Sequence, residues 1–167
     1  PEVNADHLAL LEHQPWQGGI ISGPNCSTVG LALALAPLQR AFGIRRVHVV
    51  TLQALSGAGL GPVPGMQEPG NLLPHIAGEE QKMAQETAKI LGRLEGNRIV
   101  HAGLTVSAQC NRVSVQDGHT ACVSLELERP VTLEQILGAW AASSAEPPAP
   151  HLLSSAARPG PHLRDES

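Results

Sequence analysis

The residues best suited to chemistry lie in Gly23-Pro24-Asn25-Cys26-Ser27-Thr28, where an apolar extended run, Gly19-Ile20-Ile21, meets a helical pattern. Leu31, Leu35, Leu38 and Phe42 recur every three or four residues, the spacing of one buried helix face. Pro24 fixes the turn and Asn25 is a good N-cap. The Cys26 sulfur therefore stands at the positive end of a helix, where the dipole and free backbone N–H groups favour thiolate over thiol. A strand–turn–helix elbow of this kind is a usual display for a nucleophile. The competing reading is a small buried apolar residue, the commoner fate of a lone cysteine.

The elements that must position this cysteine follow from the pattern on either side. Residues 1–17 form a polar lead-in with one helical turn, Asp6 to Leu11, closed by Gln14-Pro15. The helix after Cys26 stops at Gly43. Val47 to Leu52 is a β-branched run and predicts a strand. Gly57 to Gly70 is a loop rich in Gly and Pro. Its Gly57-x-Gly59-x-Gly61 superficially suggests a dinucleotide fingerprint, but Pro62 stands where a third glycine should be and no helix opens there.

A second helix is predicted over Glu79 to Leu94, with Met83, Ile90, Leu91 and Leu94 as its apolar stripe. Glu79 and Glu80 suit the dipole at its start. Lys82 and Glu86 have the spacing of a surface ion pair, which contributes only a few tenths of a kcal/mol. From Leu104 the pattern alternates through Val106, Ala108, Val113 and Val115. It turns at Gln116-Asp117-Gly118-His119, then resumes through Ala121, Val123, Leu125 and Leu127, which predicts a long β-hairpin. Thr132-Leu133-Glu134-Gln135 is a capping box opening a third helix to about Ala142. The sum is an α+β domain over residues 1–143, followed by a Pro-, Ala- and Ser-rich irregular tail over 144–167.

Composition narrows the partners. A chain of 167 residues suits one domain with a substantial core. Its only aromatic residues are Trp16, Phe42 and Trp140, its net charge is −4, and it has no basic run, all of which argue against a nucleic-acid surface. No apolar run approaches the roughly 20 residues of a membrane helix. The start, Pro1-Glu2-Val3-Asn4, lacks the basic segment of a signal peptide and reads as a piece cut from a longer protein. Cys26, Cys110 and Cys122 have no paired spacing, which fits a reducing, cytoplasmic setting without disulfides. Neither a Cys-x-x-Cys nor a His-x-x-x-His pair is present to suggest a metal site.

Four separate stretches together resemble aspartate-semialdehyde dehydrogenase. They are Pro24-Asn25-Cys26-Ser27-Thr28; Thr51-Leu52-Gln53-Ala54-x-Ser56-Gly57-Ala58-Gly59; Leu73-Pro74-His75-Ile76-x-Gly78-Glu79-Glu80-x-Lys82; and Arg112-Val113-x-Val115-x-x-Gly118-His119. The likeness covers roughly residues 1–140 in order and is nearest the archaeal and fungal branch of that family. It implies a mixed, largely antiparallel sheet with helices packed on one face. It also implies a Cys26 nucleophile, with His119 as general acid/base and Asn25 and Gln53 orienting the intermediate. Arg112 then clamps the substrate carboxylate, Glu79 meets the substrate amino group, Lys82 contacts phosphate, and Ser56 and Gly57 border NADP.

The reaction implied is NADPH-dependent reductive dephosphorylation of L-4-aspartyl phosphate to L-aspartate 4-semialdehyde through a Cys26 thioester, a step of amino-acid biosynthesis. The family's Gly-rich nucleotide-binding domain is not found in these 167 residues. The resemblance therefore implies the catalytic and dimerisation half of such an enzyme, with a homodimer as its assembly and NADP held mainly by the other domain. Two alternatives stand beside it: a related acyl-phosphate or acyl-CoA reductase such as malonyl-CoA reductase, and a non-catalytic dimerisation module.

Overall fold

A computed structural model describes residues 2–59, 61–66 and 70–145. After a 3-10 helix over Ala5–His13, the chain enters α1 (Cys26–Phe42) from an extended segment. Asn25 caps α1, its Oδ1 accepting the Ser27 N–H at 2.9 Å. Gly43, at φ 70°, ends the helix in a conformation that suits glycine. β1 (Ile44–Gln53) follows at once. Val47, Val49, Thr51 and Gln53 are buried along one face of it while His48 is exposed, the period-two alternation of a sheet covered on one side.

β2 (Leu72–Leu73) is a two-residue edge strand, and α2 (Glu79–Ile90) begins after Gly78. β3 (Arg93–Glu95) and β4 (Arg98–Val100) form a separate small ribbon. The long strands β5 (Thr105–Val113) and β6 (His119–Leu127) precede α3 (Leu133–Ala145). The main sheet runs β2-β5-β1-β6. β1 pairs parallel with β5 and antiparallel with β6, and β2 pairs antiparallel with β5. Leu31, Leu35 and Leu38 of α1 and Met83 of α2 meet Val47 and Val49 of β1 and Cys110 of β5 in one core. The helices thus lie on the face of the sheet that carries those residues. Trp140 of α3 ties the third helix to α1 by donating Nε1–H to the Ala34 carbonyl at 2.9 Å. The result is the α+β layer with a mixed sheet.

Three local expectations change. The alternation over residues 104–127 is not a hairpin: β1 lies between β5 and β6, which do not pair with each other. The segment from Ser114 to Gly118 arches over the end of β1, tied down by Leu55 N–H to Val115 O at 2.8 Å and Ser56 N–H to Gln116 O at 3.1 Å. Two inter-strand spacings of ~4.8 Å each are within reach of such a span. The second helix stops at Ile90 rather than Leu94. The chain doubles back at Gly92, where a Cβ would collide with the Val100 carbonyl oxygen, and Leu94 pairs with Ile99 in the ribbon. Cys122, which the alternating strand pattern on its own would bury as an inert thiol, is exposed on β6, because it shares the uncovered face of the sheet with Val50 and Gln109.

The third helix opens with the capping box: Gln135 N–H donates to Thr132 Oγ1 at 3.3 Å and Thr132 N–H to Gln135 Oε1 at 2.9 Å. It continues to Ala145. The tail beyond it falls outside the described residues.

Candidate active site

The crossing of β1 between β5 and β6 is what assembles the site. Gln53, the last residue of β1, is in register with Arg112 on one side and His119 on the other. Directly opposed residues project to the same face of a sheet. Three polar side chains are thereby set in a row at one end of the helix-covered face. The seven positions that separate Arg112 from His119 in the sequence are the length of the arch over β1.

The start of α1 meets this row. Cys26 Sγ lies 3.1 Å from His119 Nε2, across 93 positions of chain. The other ring nitrogen, Nδ1, accepts the Ala54 backbone N–H at 3.0 Å. The Ala54 carbonyl accepts from Arg112 Nη1 at 2.7 Å. Arg112 is 6% exposed and Ala54 fully buried, so the guanidinium is held by this contact in a protected position. Gly57 sits against both groups: a Cβ there would fall 3.0 Å from His119 Cε1 and 3.2 Å from Arg112 Nη1.

The carboxylates of α2 hold the elbow from the other side. Glu79 Oε2 accepts from Asn25 Nδ2 at 2.6 Å and from Gln53 Nε2 at 3.4 Å. Glu86, two helical turns later and hence on the same face, accepts the Asn25 backbone N–H at 2.8 Å. Asn25 is thus fixed at three points, with its Oδ1 also 3.9 Å from the Cys26 sulfur. Glu86 was read from the sequence only as the partner of Lys82 in a surface pair. Its real partner lies 61 positions away, and the i,i+7 repeat with Glu79 is the one local signal of it. Lys82 stays exposed on the first turns of α2. Gly57 is exposed against the His119 ring, and its exposed neighbour Ser56 lines an open cleft of about 290 Å³ with Leu55, Val63, Met66 and Gln116.

Two neighbours shape the surroundings. Burial pushes the Cys110 thiol up from its ordinary range, consistent with an inert core position. Burial also opposes ionisation of Glu80, but hydrogen bonds from the Cys110 N–H, at 3.2 Å, and from His75 outweigh it and hold the carboxyl below its usual range. No group of three or more His, Cys, Asp or Glu able to hold a metal ion occurs among the described residues. Likewise no helix among them is long and apolar enough to cross a membrane.

Fold and site together define a class: an α+β domain whose sheet end brings a helix-start cysteine to a histidine, with an arginine and a carboxylate close by. The sequence profile of the semialdehyde dehydrogenase dimerisation domain matches residues 35–166, and the chain belongs to that family. Aspartate-semialdehyde dehydrogenase of Archaeoglobus fulgidus is 45% identical over 144 residues, covering 84% of this chain and 42% of that protein. The Saccharomyces cerevisiae enzyme of the same name is 44% identical over 154 residues, 81% of this chain and 42% of that protein. The crystal structure of aspartate semialdehyde dehydrogenase with NADP from Candida albicans superimposes with a TM-score of 0.72 at 39% identity, covering 84% of this chain and 43% of that one. The chain therefore spans less than half the length of these relatives.

Proposed function

We propose that this chain is the substrate-side half of an NADP-dependent aspartate-semialdehyde dehydrogenase. Its role is to form and release a Cys26 thioester in the reductive dephosphorylation of L-4-aspartyl phosphate. The observation that carries this reading is the 3.1 Å approach of Cys26 Sγ to His119 Nε2. In this reading the Cys26 sulfur attacks the acyl carbon and phosphate departs with the bonding pair, which divides one hard displacement into two easier ones. The His119 Nε2 side of the ring faces the reacting centre and stabilises charge on the substrate oxygen. Arg112, held by the Ala54 carbonyl, presents its fork to the substrate carboxylate. Glu79 meets the substrate amino group while Asn25 and Gln53 keep it oriented. Lys82, on the exposed side of α2, contacts phosphate as a mobile point charge.

The residues at the Gly57 edge fit the flat nicotinamide end of a dinucleotide, because the missing Cβ leaves room against the His119 ring. Ser56 and Gly57 would border it there. When bound, NADPH supplies the hydride that reduces the thioester. The Gly57-x-Gly59-x-Gly61 run leads into Pro62 without a helix, so it is no pyrophosphate cradle. NADP is accordingly held mainly by the additional length that the relatives possess.

The second face of the sheet, exposed at His48, Cys122 and Ser124 and opposite the helices, serves a homodimer. The setting is cytoplasmic, and neither nucleic acid nor membrane is a partner. The test is phosphate-dependent reduction of NADP by L-aspartate 4-semialdehyde. A polypeptide joining this chain to a nucleotide-binding domain should turn over and lose activity on Cys26→Ser, whereas the 167-residue chain alone should not turn over. Undiminished turnover in Cys26→Ser would contradict the assignment.

A further inference from the structure

Behind the row of Arg112, Gln53 and His119 stands a second row on the same face of the sheet. Thr51 lies two residues before Gln53 on β1, in register with Cys110 of β5 and Ala121 of β6. Residues two apart on a strand point to one face, so the Thr51 hydroxyl and the Gln53 side chain are neighbours. Both residues are 1% exposed, and Gln53 Nε2 donates to Thr51 Oγ1 at 3.3 Å. We propose that Thr51 is a positioning residue whose hydroxyl fixes the Gln53 carboxamide at the catalytic end of β1. Resting on the function proposed above, this gives Gln53, which orients the bound intermediate, one anchor that stays in place whether or not substrate is bound.

Gln53 has two holds, and they differ in kind. The second runs from Nε2 to Glu79 Oε2 at 3.4 Å. An ionised carboxylate can only accept, so the NH2 end of the carboxamide is the one on that side. Glu79 is also engaged by Asn25 Nδ2 at 2.6 Å, and it has the substrate amino group to meet. Its bond to Gln53 is therefore the one that substrate competes with. Thr51 has no such second duty. A β-branched side chain has a restricted χ1, so the backbone of β1 itself sets the direction of Oγ1. Both side chains also meet the Cys110 thiol of the neighbouring strand, which closes the inner side of the cluster.

A buried carboxamide that loses an acceptor keeps its desolvation cost and turns toward whatever partner remains. Without the hydroxyl, Glu79 is the one remaining hold on Nε2, and the carboxamide follows whatever Glu79 binds. The loss then falls on the acylation of Cys26 rather than on the sheet, since valine retains the branched shape and strand preference of threonine.

Thr51→Val and Thr51→Ser in the 167-residue chain test this. Valine deletes the hydroxyl, whereas serine keeps it and deletes a buried methyl. Cys26 acylation by L-4-aspartyl phosphate should slow about tenfold in Thr51→Val and stay within about twofold of wild type in Thr51→Ser. Thermal midpoints should fall in both, through a lost hydrogen bond in one and a cavity in the other. In a Gln53→Ala background the valine change should have no further effect on the rate. Hydrogen exchange of the Gln53 side-chain amide, read by nitrogen-15 NMR, needs no substrate and so stands apart from the reaction assigned. It should be slow in wild type and Thr51→Ser and faster in Thr51→Val. Equal rate losses in the two variants overturn the proposal, as does an unchanged Gln53 amide in folded Thr51→Val. Should Thr51→Val not fold, Thr51→Ala takes its place. If wild type forms no adduct, the reaction assigned is at fault and the amide exchange decides on Thr51 alone.

Discussion

Glu86 accepts the Asn25 backbone N–H at 2.8 Å and so joins the middle of α2 to the residue immediately before the nucleophile. Nothing in the relation is local, since the two are 61 positions apart. It fixes where α1 begins and therefore where the Cys26 sulfur stands. A hydrogen bond to a charged group contributes ~1.5–3 kcal/mol.

Glu86→Ala should slow acylation of Cys26 by about tenfold or more, a barrier change of ~1.4 kcal/mol or above. Glu86→Gln keeps an acceptor oxygen and should restore most of the rate. Acylation rates of the two variants, measured beside their thermal midpoints, separate positioning from stability. Equal loss in both would assign the effect to charge instead.

Gly57→Ala tests the clearance beside His119 and Arg112. Its backbone conformation tolerates alanine, but the new Cβ would lie 3.0 Å from His119 Cε1. The fold should persist while the ring shifts, and a misplacement near 1 Å lowers the rate by about a hundredfold. Circular dichroism with acylation kinetics checks both halves of that statement.

The three cysteines should separate by reactivity. Cys26 and Cys122 are exposed, whereas Cys110 is buried with its thiol pushed up by that burial. With limiting alkylating reagent, Cys26 should label first, Cys122 later, and Cys110 only on unfolding. Mass mapping of the labelled peptides gives the order, and early labelling of Cys110 would remove the basis for it.

Glu80 sets an acid limit on stability. Its folded carboxyl lies below the ordinary range, so it stabilises the native state above the unfolded value. That contribution disappears as pH falls through the folded value. Thermal midpoints should therefore decline on acidification through and below the normal carboxylate range, and Glu80→Gln should flatten the decline. An unchanged acid slope in the variant would place the effect elsewhere.

Much of this was legible in the sequence because it rests on local pattern. Asn25 as a cap, Gly43 as a stop and the Thr132–Gln135 box depend on contacts within a few residues. The alternation flanking Gln116 to His119 gave the two strands correctly but paired them with each other, since period two reports which face is buried and not which strand is the neighbour. Gln53 lies between Arg112 and His119 for that reason, and no spacing rule reveals it. Glu86 and Ala54 were missed because one acts through a distant backbone N–H and the other only through its own main chain.

The central claim is that Cys26 takes up the acyl group. Intact-protein mass spectrometry after brief exposure of the 167-residue chain to L-4-aspartyl phosphate tests it most directly. A single hydroxylamine-labile aspartyl adduct should appear that maps to the Cys26 peptide, is absent in Cys26→Ser, and accumulates because no hydride follows. No adduct, or one that persists in Cys26→Ser, would contradict it.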